Sequence, residues 1–109
     1  MKLGDIPFQV IDWSGVDAEA HPGDVGVATW KTKRFGEIRV RMVEYSPGYV
    51  ADHWCSKGHL LLCLAGELHT TLADGRTVTL GPSMAYYVAD DTLAHRSSAP
   101  AGATLYIVD

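Results

Sequence analysis

The sequence predicts an all-β chain, a sandwich or barrel of short strands, and three observations carry that reading. Its 109 residues match the length of one domain. Turn signals recur at short intervals: Pro22-Gly23-Asp24, Phe35-Gly36, Ser46-Pro47-Gly48, Ser56-Lys57-Gly58, Ala65-Gly66, Ala73-Asp74-Gly75, Gly81-Pro82, Ala89-Asp90-Asp91 and Ala99-Pro100-Ala101-Gly102. Between them, apolar and polar residues alternate with the period of two that marks a strand. Ile38, Val40 and Met42 fall on one face, with Arg39 and Arg41 on the other, and Thr77 and Thr79 alternate with Val78 and Leu80. No amphipathic helix longer than two turns is expected.

The elements follow in order. Residues 1–25 read as an N-terminal arm, with an edge strand over Phe8-Gln9-Val10-Ile11 and a helical turn over Gly15–Ala20. The basic stretch Lys31-Thr32-Lys33-Arg34 reads as a solvated hairpin tip. Strands are expected over Glu37–Tyr45, His59–Leu64, Glu67–Leu72, Arg76–Leu80, Ala85–Val88, Leu93–Ser97 and Thr104–Val108. Asp74-Gly75 between two such runs is a strong hairpin signal, because both positions of a tight hairpin turn favour positive φ. Many short strands at this spacing indicate a sandwich or barrel.

Composition narrows the partners. The net charge is −4, from 9 basic and 13 acidic side chains, and no basic stripe exists to follow a phosphate backbone, so nucleic acid is not expected. The longest apolar run, Leu60–Ala65, is far short of the roughly 20 residues that cross a bilayer, so no membrane partner is expected. Met1–Asp5 carries no signal-peptide pattern, which predicts a cytoplasmic protein whose two cysteines, Cys55 and Cys63, stay reduced.

Histidine carries the chemistry. There are five, and His53, His59 and His69 lie close together with Cys55 between the first two. His53 and Cys55 are two apart, so on a strand they share a face. Ser56-Lys57-Gly58 makes a tight turn, after which His59 opens the next antiparallel strand. Two imidazoles and a thiol would then converge, a donor set that suits borderline-soft divalent metals. A lone strand histidine or a lone cysteine is ordinarily a satisfied core residue; three at these spacings are harder to dismiss.

This arrangement resembles the first motif of the cupin superfamily: a glycine, a His-x-His pair, a Glu and a second glycine. Gly48 and Gly66 bracket the segment 48–66, His53 fills the first His position, Cys55 stands at the second, and His59 stands where Glu is usual. The segment 81–98, with Gly81-Pro82, Tyr87-Val88 and His95, resembles the second motif. Asp52-His53-Trp54-Cys55 further resembles a small group of bacterial cupins named for a DHCW motif. The resemblance implies a single cupin domain over 1–109, a double-stranded β-helix or jelly-roll barrel. It also implies a metal held by His53, Cys55, His59 and His95. Exchanging carboxylate for thiolate shifts the preference toward Zn, Ni, Co or Fe(II), and binding would draw the Cys55 thiol into its thiolate form.

Several other residues have two readings each. His69 faces either the interior, near a substrate, or solvent. Of the adjacent pair Tyr86 and Tyr87, one points in, and Tyr87 is a candidate acid or hydrogen-bond donor. If the Arg39/Arg41 face lines the barrel, Arg41 is a candidate clamp for a substrate carboxylate; otherwise the pair is solvated or faces a second subunit. Cys63 reads as core. Trp54, between His53 and Cys55, should face away from them; Trp13 and Trp30 read as packing residues. Asp52 either hydrogen-bonds a metal-binding His or serves a turn. The functional expectation is a small metalloprotein binding a divalent transition metal (Zn, Fe or Ni) and a small, anionic molecule. Dioxygenase, isomerase or lyase chemistry fits the resemblance; a non-catalytic, metal-stabilised binding module is the alternative. A homodimer is expected, since a sandwich this small has sheet edges to cover.

Overall fold

The chain folds into two antiparallel sheets laid face to face, as the alternation demands. The coordinates are a computed structural model that describes Leu3, Gly4 and residues 6–109. Its strands are β1 (Ala18–Pro22), β2 (Val27–Phe35), β3 (Ile38–Tyr45), β4 (Tyr49–Val50), β5 (His59–Gly66), β6 (Leu68–Leu72), β7 (Thr77–Leu80), β8 (Ala85–Val88), β9 (His95–Ala99) and β10 (Ala103–Val108). One sheet has the order β1-β2-β3-β10-β5-β8, the other β4-β9-β6-β7. The seven expected strands all form, with ends displaced by one or two residues.

Inward side chains grade from apolar to polar along the strands, and this gradient positions the site. On β10 the inward row runs Ala103, Leu105, Ile107 and then Asp109. On β5 it runs from Cys63 through Leu61 to His59, and on β3 from Val43 to Arg41. The register places Leu105 beside Val43 and Cys63, and Ile107 beside Arg41 and Leu61. One end of the interior is therefore a hydrophobic core containing Val43, Cys63, Leu68, Leu80 and Leu105, each at most 5% exposed. The other end holds ionisable groups. The Arg39/Arg41 face of β3 is the inner one, and Ile38, Val40 and Met42 lie half-buried on the outer face.

Three sequence expectations are corrected. Lys31–Arg34 is not a hairpin tip: it lies within β2, paired with β3 from Lys31↔Met42 to Arg34↔Arg39, and the turn falls at Gly36, whose φ is +60°. Phe8–Ile11 forms no strand; Phe8 is 96% exposed and Val10 83%, with no pairing partner among the described residues. The edge is instead β1, which pairs with β2, while His21 stacks on Trp30 with ring centroids 3.8 Å apart. The helical turn falls earlier than Gly15–Ala20: a short 3-10 turn spans Trp13–Gly15, with the Asp12 carboxylate accepting from the Ser14 N–H at 3.0 Å. Trp13 then packs edge-on against Tyr106, centroids 6.4 Å apart, on the outer face of the larger sheet.

Candidate metal centre

Residues 51–58 join the two sheets without forming a strand, and their shape decides which donors meet. Only Cys55 is tied down by a β-bridge: its N–H donates to the His95 carbonyl at 2.7 Å, and the His95 N–H donates back at 3.0 Å. The far end is fixed by the Gly58 N–H on the Asp90 carboxylate at 2.7 Å and the Asp91 N–H on the Ser56 carbonyl at 2.8 Å. Cys55 is thereby held beside His95 of β9 and faces His59 of β5 across the gap between sheets.

The ligand atoms of Cys55, His59 and His95 all lie within 4.8 Å of one another. His59 Nε2 is 2.8 Å from His95 Nε2 and 3.8 Å from Cys55 Sγ. The far ring nitrogens fix both tautomers. His59 Nδ1 meets an Asp109 carboxylate oxygen at 3.0 Å, and His95 Nδ1 meets the Leu93 carbonyl at 3.0 Å. A carboxylate and a carbonyl only accept, so each Nδ1 carries the hydrogen and each Nε2 presents a lone pair. Two lone pairs this close repel unless a proton or a metal ion lies between them. A divalent metal answers that requirement: metal–nitrogen bonds of about 2.0–2.1 Å and metal–sulfur bonds of about 2.3 Å call for donors at this kind of separation. The residues present therefore fit a metal ion.

The carboxylate behind His59 is itself anchored. Arg39 Nε donates to Asp109 Oδ1 at 2.8 Å, and Arg39 and Arg41 each donate to Oδ2, at 3.0 and 2.9 Å. Burial alone would raise the Asp109 pKa; the hydrogen bond to His59 and the two guanidiniums override it and hold the carboxyl well below its usual range. Burial first, and the charge of Arg39 second, push the Arg41 pKa down, and its guanidinium lies 4.3 Å above the Trp30 ring. A histidine oriented by a buried carboxylate is the arrangement that fixes ligand direction and raises ligand basicity. His95 is pushed below its ordinary pKa by burial and by His59, against the bond to Leu93, which favours its neutral, donor-ready form.

A cavity of about 390 Å³ opens onto these donors. Trp30, Tyr45, Tyr49, Trp54 and Tyr86 give it aromatic walls, and Arg39 and Arg41 lie at one side.

Of the four expected metal ligands, the structure brings together Cys55, His59 and His95. His53 borders the same cavity but lies outside the donor group: its side chain is 72% exposed, and its Nδ1 meets Asp52 at 2.6 Å. The physical reason is that residues 51–58 are a loop, so the two-residue spacing does not give His53 the face of Cys55. Asp52 accordingly serves its neighbour and not a metal-facing imidazole. Tyr87 points outward, 74% exposed, while Tyr86 points in, paired with the inward Leu61 and with its ring centroid 6.0 Å from that of His95. Burial, then the nearby Cys55, raises the Tyr86 pKa, so its hydroxyl stays protonated. His69 lies on the outward row of β6, Nε2 2.6 Å from Glu67. Arg41 is inside, 5% exposed, and Cys63 is fully buried core. Trp54, 47% exposed, lines the cavity instead of facing away from it. Sequence reasoning missed Asp109; extending the period of two from Leu105 and Ile107 would have found it.

No family model matches the chain, and no curated protein matches it. Solved structures do. An RmlC-like cupin from Shewanella frigidimarina matches with a TM-score of 0.72 at 17% identity, over 94% of this chain and 90% of that one. HppE in its Fe(II) form with an alternative substrate, (S)-1-HPP, matches with a TM-score of 0.77 at 14% identity, over 94% of this chain. Hydroxypropylphosphonic acid epoxidase from S. wedmorenis matches with a TM-score of 0.73 at 14% identity, over 96% of this chain. The chain spans about 60% of the length of these last two. The fold is that of the cupins.

Proposed function

We propose that this protein is a metal-binding cupin that holds one divalent transition metal through Cys55, His59 and His95 and receives a small anionic molecule in the adjoining cavity. The observation that carries this reading is the pair of Nε2 lone pairs 2.8 Å apart with a thiol beside them, a donor set that needs a cation. Bound there, a divalent metal supplies Lewis acidity to a small molecule in the cavity. The protein's own groups do the rest. Asp109 orients His59, the Leu93 carbonyl orients His95, Tyr86 offers a protonated hydroxyl, and the two arginines favour an anion. The Fe(II) form named for HppE on the same fold supports Fe as one candidate; thiolate and imidazole suit Zn and Ni equally.

A second reading, a binding module without turnover, is favoured by one feature. The acid nearest the donors, Asp109, is committed to His59, Arg39 and Arg41, which leaves it no role in moving a substrate proton. We assign the whole of residues 1–109 to one cupin domain. We place the protein in the cytoplasm, where Cys55 stays a thiol, and pair it as a homodimer, with sizing at about twice 11.8 kDa as the check.

Elemental analysis of the untagged protein tests the metal. About one Fe, Ni or Zn per chain is expected, with clear loss in Cys55→Ser and His95→Gln and retention in His53→Gln. Metal-free protein that cannot be loaded would end the metal reading.

A further inference from the structure

The metal donors do not use the arginines, and the arginines carry an unspent charge. Arg39 and Arg41 face one side-chain carboxylate, so these three side chains sum to +2 − 1 = +1. It is deeply placed: side-chain exposure is 17% for Arg39, 6% for Arg41 and 0% for Asp109. Arg39 spends two nitrogens on Asp109, whereas Arg41 spends one, and the buried Arg41 Nε has no partner among the described residues. A buried guanidinium nitrogen without an acceptor is expensive, and native interiors rarely leave one so. Both arginines border the cavity.

The walls beside this charge are flat and aromatic. Tyr45 and Tyr49 stack on each other, centroids 4.1 Å apart at 17°, and both line the cavity. Trp30 lies under the Arg41 guanidinium, and Trp54, from the 51–58 loop, closes the cavity side with about half its surface in solvent. At about 390 Å³ the space is at the small end of ligand pockets, roughly 300–1,000 Å³, which fits a one-ring compound and not a nucleotide.

We infer that the ligand of this cavity is an aromatic monocarboxylate, its carboxylate taken by Arg41 and its ring by the Tyr45–Tyr49 wall and Trp54. A single negative charge brings the three side chains from +1 to neutral. A planar carboxylate matches the planar guanidinium in a way a point anion does not. A ring meets the tyrosine and tryptophan faces in offset or edge contacts that add to its apolar burial. The inference rests on the reading of the cavity as a small-molecule site; the seat uses none of the metal donors and joins them only through Asp109.

Tryptophan fluorescence titration of chelator-treated protein tests it, with benzoate, acetate and benzyl alcohol as probes. Benzoate should bind at least about tenfold more tightly than acetate, which lacks the ring, and than benzyl alcohol, which lacks the charge. Arg41→Lys keeps a cation opposite Asp109 but loses the fork, and should weaken benzoate about tenfold. Trp54→Ala, at an exposed rim position that leaves folding intact, should weaken benzoate while leaving acetate unchanged. Equal binding of benzoate and acetate would overturn the aromatic assignment and keep the anion site. Binding of benzyl alcohol as tight as benzoate, or unchanged benzoate affinity in Arg41→Lys, would overturn the arginine seat. No binding of any probe would remove the small-molecule reading as well. Metal content, measured separately, reports on the metal reading alone.

Discussion

Asp109 makes contacts that three other side chains depend on: it orients His59, anchors Arg39 in a bidentate pair and accepts one hydrogen bond from Arg41. Its carboxylate is fully buried, so its charge is worth more there than at the surface. Replacing it with Asn keeps the size and one acceptor but leaves two guanidiniums without a counter-charge. Removing one partner of a buried ion pair typically costs about 3–5 kcal/mol, and Asp109→Asn should lie near the lower bound because Asn still accepts one hydrogen bond. Loss of the carboxylate behind a ligating histidine should also weaken metal binding, about 10–100-fold. Urea unfolding reads the first effect and competition with a chelating dye the second. Unchanged metal affinity would detach Asp109 from the donor group.

The elements explain what the sequence disclosed and what it hid. Strands β3 and β5 to β10 are legible because each is a short run of strand-forming residues bounded by turn signals, and the Asp74-Gly75 turn joins β6 and β7 as expected, with Gly75 at φ +93°. Strand β2 is not legible, because Lys31 and Lys33 sit on its outer row and imitate a solvated tip, while the inward Ala28 and Trp30 give too weak a pattern. Cys55, His59 and His95 are legible as donors from chemistry and spacing. The place of His53 outside that donor group is not, since it depends on a loop whose path is set by contacts with residues 90, 91 and 95. That loop supplies a sharp test. A Cβ at Gly58 would stand 2.6 Å from the Asp90 nitrogen and 2.7 Å from the Val88 carbonyl oxygen, both backbone atoms that cannot swing aside. Gly58→Ala should therefore displace the segment carrying Cys55 away from His59. A stability loss of about 1–3 kcal/mol is expected from the overpacking, together with a drop in metal affinity. Gly75→Ala is the control. It meets nothing within 4 Å and carries only the left-handed backbone penalty of about 1–2 kcal/mol, so metal affinity should hold. Equal metal affinity in both variants would mean that the loop does not position Cys55.

At the scale of the whole molecule, one end of the interior is a dry core and the other a cluster of ionisable groups, so the interior's contribution to the pH dependence of stability comes from the second end. His95 is held below the ordinary histidine value of 6.5, chiefly by burial, so the unfolded chain takes up its proton first. Stability then declines as pH falls below about 6.5. Asp109 is held below the ordinary carboxyl value of 3.8, so its contribution is intact above that value and is lost as pH falls further. Chelator-treated protein should thus melt at a lower temperature at pH 5.0 than at pH 7.5. His95→Gln should flatten that step and leave the more acidic one in place. Metal reverses the trend where its donors can deprotonate: at a free concentration of about 100 times Kd it adds ~2.7 kcal/mol. For a chain of 109 residues that is a rise of roughly 10 °C in Tm. The rise should shrink steadily toward pH 5, because proton and metal compete for the same imidazoles and thiol. Calorimetric melts of metal-loaded and chelator-treated protein across that range measure both curves. If they run parallel, the ion is held elsewhere, since only a metal seated on titrating donors makes the gap between them close with acid.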